Sequence, residues 1–122
     1  MAELYNYTIT PQQSGIHLES FLASQAAWST ETFGPGDRRH GVVKHIRKEL
    51  KEVLKAEAGS TDLLMEWVDV LILAFDGAWR SGFTPDMIIQ ALLLKSKINR
   101  NRQWPDWRTA RVDEPIEHVR GK

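Results

Sequence analysis

Apolar residues along the chain fall into four stretches with helical spacing, separated by glycine, proline and polar breaks. In the first, Leu18, Phe21, Leu22, Ala26 and Trp28 recur at helical intervals. Upstream, Thr10-Pro11-Gln12-Gln13 has the order of an N-cap, a first-position proline and a capping-box glutamine, which predicts that the first helix starts there. Before it, Leu4 to Thr10 alternates weakly and suits a short extended arm. Phe33-Gly34-Pro35-Gly36 is the clearest break. A second helix is predicted from Gly41 to about Ala58, with Val42, Val43, Ile46, Leu50, Val53 and Leu54 on one face. Gly59-Ser60-Thr61-Asp62 is too short for anything but antiparallel packing of the helices it joins. The run from Leu63 to Phe75 is apolar on almost every side, a pattern expected of a helix buried all round, and it carries a third helix to near Gly82. Thr84-Pro85-Asp86 restarts the chain with an N-cap, a first-position proline and an acidic first turn. The fourth helix then runs to about Gln103, where Pro105 stops it and leaves an extended tail. The predicted fold class is all-α, a bundle of four helices whose third is too apolar to stay exposed in one copy, so the bundle is completed by oligomerisation.

Two pairs of carboxylates interrupt this pattern. Glu49/Glu52 and Glu66/Asp69 share an i, i+3 spacing that puts both members of each pair on one helix face. Glu66 and Asp69 lie inside the most apolar run, where ionised carboxylates are rarely buried without a compensating cation. Taken alone, Glu49 and Glu52 read as a surface edge salt-bridged to Lys48 and Lys55, and His45, on the same edge, as an ordinary boundary histidine. Because the two pairs lie about equally far from the Gly59 turn, they are expected to meet between antiparallel helices. Four carboxylates in a partly apolar cleft need metal ions to stay ionised, and an all-oxygen donor set suits Mg²⁺ or Mn²⁺ better than zinc. On the fourth helix Lys95, Asn99 and Arg102 share one face, either complementing the helix dipole or presenting a point charge, an amide and a planar fork to a triphosphate. Asp76, two turns beyond Asp69, is a second-rank candidate as an extra ligand or an orienter of one of these cations. Trp28 has two readings, core packing or one wall for a flat ligand with Phe33 near it, and spacing alone does not choose. Asp37-Arg38-Arg39-His40 reads as a solvated turn or a phosphate holder, and no strand precedes its glycines to make a phosphate loop.

Composition narrows the classes. A chain of 122 residues with 42% apolar content fits one domain with a modest core. We read residues 1–122 as that domain, with residues 1–14 as an N-terminal arm and 105–122 as the tail. Sixteen basic and sixteen acidic residues cancel, so no overall field attracts nucleic acid or an anionic membrane. The absence of cysteine excludes a disulfide framework, a thiolate zinc site and a cysteine nucleophile. The first residues lack the basic segment and apolar core of a signal peptide, and the longest apolar run falls short of the ~20 residues of a membrane span. A cytoplasmic protein is expected.

The segment from His45 to Glu52, followed by Glu66-Trp67-Val68-Asp69, resembles the ExxE…ExxD signature of the all-α nucleoside triphosphate pyrophosphohydrolases, the MazG-like superfamily. Asp76-Gly77-Ala78-Trp79-Arg80-Ser81-Gly82-Phe83-Thr84-Pro85, Asn99-Arg100-Asn101-Arg102-Gln103-Trp104-Pro105 and Pro115-Ile116-Glu117-His118-Val119-Arg120 are similar to its dATP/dGTP diphosphohydrolase branch, which includes the phage MazZ enzymes. The likeness covers Phe33 to Arg120. Lys48 departs from the fuller EExxE form and leaves two carboxylates on this helix instead of three. The resemblance implies hydrolysis of purine deoxynucleoside triphosphates (dGTP, dATP) to the monophosphate and pyrophosphate, supplying dGMP for a phage pathway to 2-aminoadenine nucleotides. It further implies two or more Mg²⁺ ions on Glu49, Glu52, Glu66 and Asp69, with Mn²⁺ able to substitute, and Glu49 or Glu52 as the base. It also implies that Lys95, Asn99 and Arg102 bind phosphate and that the chain forms a dimer or tetramer; beside it we expect His45 to assist nucleotide binding and Trp28 and Phe33 to line a base pocket. Housecleaning of non-canonical nucleotides shares this chemistry, and a non-catalytic helical oligomerisation module is the alternative outside it.

Overall fold

The computed structural model describes residues 7–11 and 15–120. Among them it contains four α-helices and no strand: α1 (Leu18–Phe33), α2 (Arg39–Lys55), α3 (Thr61–Arg80) and α4 (Pro85–Arg100). The chain divides into two compact units, one ending at Ile88 and the other beginning at Ile89.

In the first unit α2 and α3 form an antiparallel hairpin to which α1 adds through α3. Gly59 makes the turn with a φ of 75°, in the left-handed region that glycine occupies without a Cβ penalty. Ser60 then caps α3 by accepting the Leu63 N–H at 3.1 Å, an arrangement worth about 1 kcal/mol. Gly77 lets α3 approach α2 closely, with Val42 Cγ1 placed 3.6 Å from where a side chain would begin. Gly34 (φ 88°) and Gly36 (φ 95°) turn the chain between α1 and α2, at the clearest break in the sequence pattern.

The start of α1 differs from expectation. The helix begins at Leu18, with His17 as an N-cap that makes no side-chain bond, while Tyr7 to Pro11 are not helical. Gly15, at a φ of 68°, interrupts the backbone before a helix begun at Thr10 could propagate, so the local capping signal is overridden. Gln12 and Gln13 of the predicted capping box, and the first part of the predicted arm, lie outside the described residues.

Burial is sparse. Leu22 and Val53 are the buried apolar residues among those described. The third helix is not covered on all sides in the single chain: Leu64, Trp67 and Leu71 form an exposed stripe on α3, and Leu54 on α2 is 87% exposed.

The second unit continues α4 from Ile89 to Arg100, short of the predicted Gln103. Trp104 Nε1 donates to the Asn99 carbonyl at 2.7 Å and satisfies one of the acceptors left open at the helix end. The tail is not wholly extended. Asp106 accepts the Arg108 N–H at 3.0 Å and caps a single 3₁₀ turn, Trp107–Thr109, after which Val119 N–H donates to the Gln103 carbonyl at 2.7 Å.

Candidate active site

The α2–α3 hairpin brings Glu49 of the first acidic pair against both members of the second, and the expected convergence of all four carboxylates is reduced to three. One carboxylate oxygen from each of Glu49, Glu66 and Asp69 lies within 4.8 Å of the others. At that spacing each like-charge pair costs roughly 3 kcal/mol for an effective dielectric near 20. Glu66 is the buried member, only 5% exposed, and its Oε2 has no hydrogen-bond partner. Burial first, then a hydrogen bond shared with Glu49 and the charges of Glu49, Asp69 and Glu52, push the Glu66 carboxyl from 4.5 up to about 7. Glu52 stands outside the close trio, 3.8 Å from Lys55 Nζ, near enough to act on Glu66 by its charge.

His45 lies one turn before Glu49, with Nε2 3.3 Å from Glu49 Oε1. The same histidine lines a cavity of about 200 Å³ between α1, α2 and α3, together with Gln25, Trp28, Phe33, Arg38 and Asp76. That volume is below the ~300 Å³ at which drug-sized pockets begin, and suits one ring system better than a whole nucleotide. Trp28 and Phe33 meet edge to face at its rim, ring centroids 5.5 Å apart.

Asp76 is placed away from the acidic trio. Its Oδ1 accepts from Ser29 Oγ at 2.6 Å and its Oδ2 from Arg80 Nε at 2.7 Å. Arg80, 8% exposed, also donates to the carbonyls of Gly34 (2.7 Å), Gly36 (3.3 Å) and Ser29 (3.2 Å), and to Ser29 Oγ (2.9 Å). This guanidinium fastens the end of α1 and the Gly34–Gly36 turn to α3. Sequence patterning gave Arg80 no role. The i, i+4 spacing of Asp76 and Arg80 was a usable signal for half of the network. Of the basic cluster before α2, Arg38 donates to the Phe33 carbonyl at 2.7 Å and Arg39 pairs with Asp37 at 3.4 Å.

In the second unit, Arg102 Nη1 donates to Asn99 Oδ1 at 3.1 Å. Lys95, Asn99 and Trp104 line one open groove there.

An all-α chain that gathers carboxylates from ExxE and ExxD turns beside a small aromatic-rimmed cavity has the layout of the α-helical nucleotide pyrophosphohydrolases. Comparison with known proteins makes the assignment specific: the model of the dATP/dGTP pyrophosphohydrolase family matches residues 21–121, and the chain belongs to that family. It is 34% identical over 117 residues to the Eaa protein of Salmonella phage P22, a match covering 96% of this chain and 33% of that protein. The chain therefore spans about a third of the length of this curated relative. No solved structure matches it. Among the described residues no helix is long and apolar enough to cross a membrane.

Proposed function

We propose that the chain is a Mg²⁺-dependent hydrolase that converts purine deoxynucleoside triphosphates, dGTP and dATP, to the monophosphate and pyrophosphate. Its dGMP would supply a phage pathway to 2-aminoadenine nucleotides from the host cytoplasm. The observation that carries the reading is the Glu66 carboxyl, buried against two others with one oxygen lacking any partner. That arrangement is costly for the metal-free chain and fits a divalent cation, which would accept the orphaned oxygen and neutralise the trio. Glu49, Glu66 and Asp69 would hold the first ion, with Glu52 available for a second. Mn²⁺ would serve with the same oxygen donors.

A bound ion supplies polarisation of phosphoryl oxygens and a water of near-neutral pKa. The chain's own groups do the rest. Glu49, held by His45, orients the attacking water and accepts its proton, and Glu52 is the second carboxylate within reach. Water oxygen bonds to the α-phosphorus, the bond to the α,β-bridging oxygen breaks, and pyrophosphate leaves with the electron pair. Lys95, Asn99 and Arg102 bind phosphate oxygens. Trp28 and Phe33 wall the base, with His45 between the base and the carboxylates. The exposed stripe of Leu64, Trp67 and Leu71 supports a homo-oligomer, dimer or tetramer, in which a second copy covers α3.

Pyrophosphate release from the four common dNTPs, GTP and ATP, with Mg²⁺ and with chelator, tests this reading. Metal-dependent release led by dGTP or dATP is expected. Release from pyrimidines alone, or undiminished release in chelator, overturns it.

A further inference from the structure

The end of the chain carries a second arrangement of charge that the acidic cluster does not explain. From Ile89 to Lys122 there are eight basic and four acidic side chains. Two of the cations are neutralised locally, Arg108 by Asp106 at 3.2 Å and Arg111 by Asp113 at 3.1 Å. Lys95, Arg102 and Arg120 have no carboxylate within ion-pair distance among the described residues.

The tail brings these cations together. The Val119–Gln103 backbone bond closes it onto the end of α4, and the His118 ring meets Trp104 at 6.0 Å and 73°. Trp104 is itself held by the Asn99 carbonyl. His118 is thereby set beside Trp104, and Arg120 follows the residue bonded to Gln103; partial burial and then the charges of Arg102, Arg120 and Lys95 lower the His118 pKa, against Glu117, which raises it. Gathering like charges at one end of the chain costs free energy in the unliganded state, and a multivalent anion reverses that cost.

We propose that Arg120 and His118, returned by the tail, join Lys95, Asn99 and Arg102 in one binding site for a diphosphate group. The ligand chemistry is that of pyrophosphate, free as the product or as the β,γ portion of a triphosphate. The inference deepens the pyrophosphohydrolase reading and rests on it for the source of the anion. Arg120 supplies a planar fork and His118 an N–H donor, which suit a group with several acceptor oxygens better than a monophosphate.

The test compares wild type with Arg120→Ala, His118→Gln and, as a charge-matched control, Arg108→Ala, each in the full chain. Calorimetry with inorganic pyrophosphate and with dGMP is paired with the KM for dGTP. Arg120→Ala is expected to weaken pyrophosphate binding about tenfold, the loss of one charge-assisted contact, with dGMP binding unchanged. His118→Gln should weaken pyrophosphate less, and Arg108→Ala should leave it unchanged. A parallel rise in the KM for dGTP identifies the triphosphate as the ligand, whereas an unchanged KM limits the site to free product. If Arg120→Ala binds pyrophosphate as Arg108→Ala does, the inference falls, although the hydrolase reading stands if wild type still releases pyrophosphate. In the opposite case, a wild type that hydrolyses no purine dNTP yet binds pyrophosphate through Arg120, the diphosphate site stands and the hydrolase reading falls. A Lys95→Ala variant that loses binding while Arg120→Ala keeps it would confine the site to α4 and also overturn the proposal.

Discussion

Glutamine at position 66 keeps the shape of the side chain and removes its charge, so Glu66→Gln separates what the carboxylate costs from what it does. In the folded chain its pKa is about 7, against 4.5 when unfolded. Well below pH 4.5, both states hold the proton and the carboxyl carries no penalty. As pH rises towards 7 the unfolded state releases its proton first, so stability falls through that window and stays low above it. At ~1.4 kcal/mol per pKa unit the shift corresponds to on the order of 3 kcal/mol, and solvent screening at the cleft reduces this to about 2. The glutamine variant should therefore match wild type near about pH 3.5 and exceed it by about 2 kcal/mol at about pH 8 in chelator, roughly 8 °C in Tm. Added Mg²⁺ should reverse the order. Wild type gains about 2.7 kcal/mol at a hundredfold excess over Kd, and the variant gains far less. Urea melts in chelator and in Mg²⁺ at the two pH values, read beside pyrophosphate release, make the measurement. A variant no more stable than wild type at the higher pH in chelator would refute the argument. So would equal stabilisation of both proteins by the ion, or full turnover by the variant.

Arg80→Ala leaves the half-buried Asp76 carboxylate with only the Ser29 hydroxyl and no cationic partner, and should cost about 3 kcal/mol in urea melts, well beyond a surface ion pair. Trp28→Ala should raise the KM for dGTP severalfold in steady-state assays while leaving the Mg²⁺-induced rise in Tm unchanged, because the tryptophan lines the cavity and not the acidic trio. Trp67→Glu puts a charge on the uncovered stripe of α3 and should shift the mass measured by light scattering towards the single chain at micromolar concentration.

Much of this was legible because it depends on local spacing. The i, i+3 carboxylates and the short Gly59–Ser60 turn between two periodic helices require Glu49 and Glu66 to face each other, and no distant information is needed. The restart at Thr84-Pro85 is equally local, with Met87 N–H donating to Thr84 Oγ1 at 3.3 Å. The start of α1 misled for the same reason. A capping box is a signal of a few residues, and it loses where Gly15 takes a φ that a helix does not use. The Asp76–Arg80 half of the buried network was visible as an i, i+4 pair, but its Ser29 partner lies 51 residues from Arg80 in sequence. His118 acquires a role only once the tail is known to return to Gln103. Contacts of that range are decided by packing and leave no pattern in a single chain.

The way α1 is attached has a consequence for how such a protein changes over generations. Its far end is held to α3 through Ser29 and the Gly34–Gly36 carbonyls, and apart from the Ser29 hydroxyl bond to Asp76 those bonds come from one guanidinium. Three of these acceptors are main-chain oxygens, which every amino acid provides. Side chains that α1 lends to the cavity, Trp28 and Phe33 included, can therefore drift without loosening the attachment. The helix proposed to wall the base is free to explore new ring systems, while the carboxylates on α2 and α3 keep their arrangement.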